Sequence, residues 1–274
     1  MTNLIVRGGR PLRGEITPSA NKNAVLPVLC ATLLSDAPLV LHRVPDITDV
    51  RKILEFFQAL GSQVDMDYAT GTLRLHHGEN LRAQGAHLPL GMRSSVMLIP
   101  ALLHRFGQAS LEDEAKGCTL GAREIDPHLE VFEAFGARVE TRDGAILIST
   151  PEGFHATRHW LDYASVTTTE NFAICAATAK GTSQLVNAAC EPHVQEFCRF
   201  LIQMGASLQG VGASTLTIEG VEKLGATTFT FQDDFHEVAT FLAMGAITGG
   251  DVAVRNGASE SFPLIDRKIG RAHV

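Results

Sequence analysis

Phe56-Phe57-Gln58-Ala59-Leu60-Gly61-Ser62 returns as Val131-Phe132-Glu133-Ala134-Phe135-Gly136-Ala137, and again as Phe200-Leu201-Ile202-Gln203-Met204-Gly205-Ala206. The glycines lie 75 residues apart (Gly61 to Gly136) and then 69 (Gly136 to Gly205). In each copy an apolar helical pattern runs into glycine, the residue that most easily takes a left-handed cap. Strand-forming residues follow: Val64 onward, Arg138-Val139-Glu140 and Ser207-Leu208. The upstream half repeats too, as apolar helical runs over residues 24–34, 97–103 and 172–179. The order is helix, strand, helix, strand, strand. A period of this size marks a repeated supersecondary unit, so the pattern predicts an α/β fold of repeated βαβαββ-type units.

Outward from these copies, residues 4–6 read as a short strand broken by Gly8-Gly9, with a second around Gly14-Glu15-Ile16. A fourth copy begins over residues 238–247, turns at Gly249-Gly250 and enters Val252-Ala253-Val254. It lacks its second helix, so the expectation is a C-terminally truncated second domain with apolar surface left on Phe241, Leu242 and Ile247. Residues 268–274 carry no periodicity and read as a non-native tail.

Composition narrows the function classes. The 274 residues are 45% hydrophobic and 19% charged, enough for one large or two medium domains. A formal charge of −7 without a basic stripe argues against a nucleic-acid or membrane surface. The five cysteines (Cys30, Cys118, Cys175, Cys190, Cys198) form no CxxC pair, which fits a reducing compartment and neither a disulfide framework nor a zinc site. Without an N-terminal apolar run or a stretch of membrane-spanning length, the expectation is cytoplasmic.

Three places carry possible chemistry. Pro18-Ser19-Ala20-Asn21-Lys22-Asn23 opens onto an apolar helix, where backbone amides and Lys22 could meet an anion; an ordinary capped helix with a solvated lysine reads the same way. In Lys116-Gly117-Cys118-Thr119-Leu120-Gly121-Ala122-Arg123 a cysteine stands between glycines, with an arginine five residues on. Paired glycines suit a reactive thiol at a loop tip, although most free cysteines are small buried hydrophobes. His155 and His159 could share a helix face, but Gly153 and the want of a third ligand argue against a metal. Gly210-Val211-Gly212 reads as a hairpin turn, and Cys30, Cys175 and Cys198 read as core. Cys190 is undecided, and Glu191 could face a cleft or cap the following helix.

Several motifs in register resemble the enolpyruvyl transferases: Lys22-Asn23 before an apolar helix, Gly91-Met92-Arg93-Ser94-Ser95, and the Gly117-Cys118 to Arg123 loop. Ser165-Val166-Thr167 with Thr169-Glu170-Asn171, Asn187-Ala188-Ala189 before Glu191-Pro192, and Thr217-Ile218-Glu219-Gly220-Val221 extend the resemblance from residue 1 to about 257. It implies an inside-out α/β barrel in which residues 1–20 belong to a second domain, 21–230 form the first domain of three repeats, and 231–267 begin the incomplete second.

The same resemblance implies transfer of the enolpyruvyl group of phosphoenolpyruvate to the 3-hydroxyl of UDP-N-acetylglucosamine, releasing phosphate without metal or organic cofactor. Cys118 would be the general acid, and Lys22, Arg93 and Arg123 would clamp phosphate and carboxylate. Asn23 would touch the sugar. Arg123-Glu124-Ile125-Asp126-Pro127 would line the uridine side, and Tyr163-Ala164-Ser165-Val166 would meet the diphosphate. Tyr163 stands where some members carry lysine, and Asp234-Phe235-His236-Glu237 where many have Asp-Arg-Ile-Glu. The family's catalytic aspartate and final arginine would fall beyond residue 274. A paralogue with another nucleotide acceptor, and an inactive fragment that only binds a nucleotide sugar, are the rival expectations. The shikimate-pathway transferase and RNA 3′-terminal phosphate cyclases share the architecture, but the Cys118 loop and the uridine-side residues speak against both.

Overall fold

The computed structural model describes residues 5, 8–83, 88–89, 93–112, 117–118, 121–122, 125–142, 144–255, 257, 263 and 267. The chain divides into two compact units, residues 23–231 and residues 1–22 with 232–274.

Within the larger unit, each predicted repeat is one pass of the chain. The first runs through helix α1 (Lys22–Thr32), strand β2 (Leu39–His42), helix α2 (Thr48–Leu60) and the hairpin β3 (Gln63–Asp67) and β4 (Thr72–His76). The second has a 3-10 helix (Arg93–Leu98), α3 (Ile99–Phe106), β5 (Gln108–Glu112), the short pair β6 (Gly117–Cys118) and β7 (Gly121–Ala122), α4 (Asp126–Ala134), and the hairpin β8 (Arg138–Arg142) and β9 (Ala145–Ser149). The third follows β10 (Arg158–Trp160) with α5 (Val166–Thr178), β11 (Thr182–Val186), α6 (Pro192–Gln203), and the hairpin β12 (Ser207–Gln209) and β13 (Thr215–Glu219).

Each repeat closes its own sheet in the same order, β2-β4-β3, β5-β9-β8 and β11-β13-β12, all antiparallel. Parallel edge strands extend two of them: β14 (Thr227–Thr230) pairs with β2, and β10 with β11. Gly61, Gly136 and Gly205 all take positive φ (98°, 94° and 107°), the left-handed conformation their place after a helix predicts.

Burial explains why α1 and α5 lack a polar stripe. Residues 24–32 of α1 and 168–177 of α5 are buried all round, as expected of helices enclosed by other elements. The strands instead turn one face to solvent, as in β3 and β12. Two helices enclosed inside, α1 and α5, and sheets with a solvent face give the α/β fold its inside-out character. The hairpin at residues 210–212 is also as predicted, with Gly210 and Gly212 at φ 80° and 84° between β12 and β13.

Several boundaries differ from expectation. The helix expected over residues 97–103 starts as a 3-10 turn, and α2 begins at Thr48, two residues after the Asp46 carboxylate that pairs with the Arg51 guanidinium at 2.6 Å. His155 and His159 do not share a helix face. His155 makes an isolated bridge to Lys180, and His159 lies in β10, where side chains four apart are separated by extended backbone.

In the smaller unit, β1 (Arg13–Ile16) pairs in parallel with β15 (Asp251–Val254), and α7 (Phe235–Ile247) packs on β15. The strand expected over residues 4–6 and the tail over 268–274 lie outside the described residues.

Candidate functional site

Apart from Cys118, the expected site residues that the structure describes fall at or just before the beginnings of helices. Lys22 is the first residue of α1 and is exposed; Asn23 beside it is half-buried. Pro27, inside the helix, lacks the amide that would otherwise bond the Asn23 carbonyl, so the first turn of α1 is not a closed helical ladder. Arg93 is the first residue of the 3-10 helix.

Cys118 ends β6, opposite Gly121 in antiparallel register, with Gly117 opposite Ala122. Its position is therefore on a hairpin of glycine-rich backbone. Arg123 and Glu124 lie outside the described residues, as do the side chains of Arg93 and Cys118.

Ile125, Asp126 and Pro127 lead into α4, with Pro in the first turn, where its missing amide costs nothing, and Asp126 exposed. Tyr163 and Ala164 are exposed and Ser165 is the N-cap of α5, its Oγ accepting from the Thr168 amide at 3.4 Å. Val166 opens the helix. The N-terminal ends of α4 and α5 thus present amides and the positive ends of two helix dipoles, a setting that favours anions.

These two helix beginnings are neighbours. His128, in the first turn of α4, places Nε2 3.4 Å from Thr167 Oγ1, in the first turn of α5. Its Nδ1 is 2.9 Å from Asn171 Nδ2, which also reaches the Val96 carbonyl of the 3-10 helix at 3.3 Å. The structure therefore joins the Asp126-Pro127, Ser165-Val166 and Arg93 segments through one buried cluster. None of the expected site residues whose side chains the structure describes lines the cavity of about 520 Å³ bounded by Phe56, Leu60, Leu102, Phe106, Arg138 and Glu140.

Glu191 was weighed as a cleft residue or a helix cap in the sequence reading, whereas Glu170 was given no role there. Glu170 is 1% exposed, and its Oε1 has no hydrogen-bond partner among the described residues. Burial pushes its pKa well above the ordinary value, and the nearby Glu191 pushes it further. Glu191 sits at the N-cap of α6, but its side chain makes no capping hydrogen bond and Oε2 is likewise buried without a partner. The signal for Glu170 was available, since a charged residue interrupts an otherwise apolar or small helical run from Val166 to Ala177. Among the described residues there is no group of three His, Cys, Asp or Glu placed to hold a metal, and no helix long and apolar enough to cross a membrane.

The chain is 40% identical over 269 residues to a UDP-N-acetylglucosamine 1-carboxyvinyltransferase 1 of Symbiobacterium thermophilum, covering 97% of this chain and 61% of that protein. It is 34% identical over 271 residues to a UDP-N-acetylglucosamine 1-carboxyvinyltransferase of Borreliella burgdorferi, covering 99% and 63%. The chain thus spans about six-tenths of the length of the curated relatives it matches.

Two solved structures share the fold. The enolpyruvyl transferase NikO from Streptomyces tendae matches with a TM-score of 0.74 at 24% identity, over 86% of this chain and 55% of that one. An EPSP synthase from Acinetobacter baumannii matches at 0.70 and 18%, over 89% and 56%. The model of the family described as EPSP synthase (3-phosphoshikimate 1-carboxyvinyltransferase) matches residues 6–273, nearly the whole chain and all three repeats, so the chain belongs to that family.

Proposed function

We propose that this chain belongs to an enzyme that transfers the enolpyruvyl group of phosphoenolpyruvate to the 3-hydroxyl of UDP-N-acetylglucosamine, an early step of peptidoglycan precursor synthesis in the cytoplasm. The observation that carries the reading is the junction of α4 and α5 at His128 and Thr167, which brings together the two helix beginnings proposed to meet the uridine and the diphosphate. The 40% identity to a relative of that name supports the choice of acceptor. Residues 21–230 would be the first domain, residues 1–20 and 231–267 parts of a second, and residues 268–274 a tail foreign to both.

In this mechanism the Cys118 thiol gives its proton to the methylene carbon of phosphoenolpyruvate while the sugar hydroxyl adds to the adjacent carbon and loses its own proton. The tetrahedral adduct then loses a proton from the new methyl group and expels phosphate, regenerating the double bond. Lys22, Arg93 and Arg123 balance the charge of the phosphate and carboxylate throughout. Asn23 holds the sugar, residues 123–127 the uridine, and residues 163–166 the diphosphate.

The test is phosphate release from phosphoenolpyruvate in the presence and absence of UDP-N-acetylglucosamine, with Cys118→Ala as the comparison. Release that ignores the sugar nucleotide counts against the reading, and undiminished release by the variant removes the role of Cys118. The span of about six-tenths of the relatives' length favours a second reading, in which this chain by itself binds the sugar nucleotide without turnover. Calorimetric titration with UDP-N-acetylglucosamine and with other nucleotides separates that case and the paralogue case from the first.

A further inference from the structure

Resting on the sugar-nucleotide reading above, we propose that His128 and Asn171 are positioning residues that hold the beginnings of α4, α5 and the 3-10 helix at the spacing a nucleoside diphosphate needs. Neither belongs to the set expected to touch substrate. Both are buried, at 2% and 0% exposure.

Three hydrogen bonds among the described residues favour one assignment, in which Asn171 Oδ1 is buried without a partner among those residues. Asn171 Nδ2 carries two hydrogens and faces two acceptors, the Val96 carbonyl at 3.3 Å and His128 Nδ1 at 2.9 Å. Flipping the amide would set Oδ1 against the Val96 carbonyl oxygen, acceptor against acceptor, so the amide is held as described. His128 Nδ1 is then an acceptor, its hydrogen lies on Nε2, and Nε2 donates to Thr167 Oγ1 at 3.4 Å.

Each member of this cluster sits within the first two turns of an element whose beginning carries expected ligand contacts. Val96 is three residues from Arg93, His128 two from Asp126, and Thr167 two from the Ser165 cap. The uridine side and the diphosphate side therefore lie on separate helices that touch through His128. A ligand bound to one helix alone is insensitive to their spacing. A ligand bridging both is not, because a displacement of a fraction of an ångström weakens several charge-assisted hydrogen bonds together.

The experiment compares UDP with uridine as probes of the same chain. Affinity is read by titration calorimetry for UDP and by ligand-observed NMR for the weaker uridine. Asn171→Leu keeps the side-chain volume and removes both donors; Thr167→Val removes only one hydroxyl and is the gentler change. His128→Gln restores one acceptor and one donor. The expected result is a loss of about tenfold or more for UDP in Asn171→Leu and a smaller loss in Thr167→Val. Uridine should stay within about twofold, and His128→Gln should lie closer to the unsubstituted chain than His128→Leu.

A merely structural role would lower both affinities by the same factor, and that outcome overturns the proposal, as does unchanged UDP binding. If the unsubstituted chain binds neither probe, the sugar-nucleotide reading fails and takes this proposal with it. Independently of any ligand, a long-range proton–nitrogen NMR spectrum should show the His128 hydrogen on Nε2. Finding it on Nδ1 overturns the assignment on which the positioning rests.

Discussion

His77 Nδ1 lies 2.8 Å from Ser62 Oγ, joining the end of the first hairpin to the residue that follows the α2 cap. On the other side of the ring, Nε2 is 2.9 Å from Thr32 Oγ1 at the end of α1. Burial pushes the pKa of His77 down to about 3, with Arg105 adding to the shift. The unfolded chain therefore takes up this proton first. Stability from this group is complete above about pH 6.5 and falls as pH drops toward about 3, by at most about 1.4 kcal/mol per pH unit. Urea unfolding at pH 7 and pH 5 measures the slope. An imidazole whose NMR shifts titrate near its ordinary value in the folded chain would contradict this.

Glu170 has the opposite sign. Its raised pKa means that the folded state holds a proton the unfolded state gives up, so stability falls as pH rises through and beyond the ordinary glutamic acid range. Glu170→Gln keeps the shape and cannot ionise. The variant is expected to melt higher than the parent at pH 8, with the difference shrinking toward pH 5. A gap that does not depend on pH would count against a protonated Glu170.

Arg105 ties the end of α1 to α3. Its guanidinium donates to the carbonyls of Leu33, Ser35 and Gly78 and pairs with Asp36. The carbonyls near the end of a helix otherwise lack partners. Arg105→Leu should cost about 2–4 kcal/mol in denaturant unfolding, and Arg105→Lys should recover only part, because an ammonium cannot span the same fork of acceptors.

Thiol labelling should divide the cysteines by burial. Cys30, Cys175 and Cys198 are buried, with thiol pKa values raised by desolvation, that of Cys198 to about 12, whereas Cys190 is exposed. Brief iodoacetamide treatment should modify Cys190 and, if it has the proposed role, Cys118. The other three should react only in denaturant, as peptide mass spectrometry would show.

Helix α7 leaves apolar surface exposed. Ile247 is 82% and Met244 39% exposed, and only Val238 and Gly245 of α7 are buried; Phe241 and Leu242, expected to be exposed, are half-buried. Ile247→Glu should reduce hydrophobic-dye binding and self-association in sedimentation measurements, with little effect on the melting temperature. Unchanged association would mean that another surface is responsible.

The sequence alone determined the repeated order of helices and strands, the glycine caps at Gly61, Gly136 and Gly205, the hairpin at Gly210-Val211-Gly212, and the buried state of Cys30, Cys175 and Cys198. These follow from local periodicity and from backbone conformations that few residues other than glycine adopt, and both are written in neighbouring residues. The helix face that His155 and His159 could have shared does not form, because a spacing of four is compatible with helix and strand alike and His159 lies in β10. Only the tertiary structure decided that His128, Asn171, Thr167 and Val96 meet, and that Glu170 lies buried near Glu191. Such contacts join residues tens of positions apart, and the hydrogen bonds and desolvation that give them their chemistry exist only once packing has excluded water.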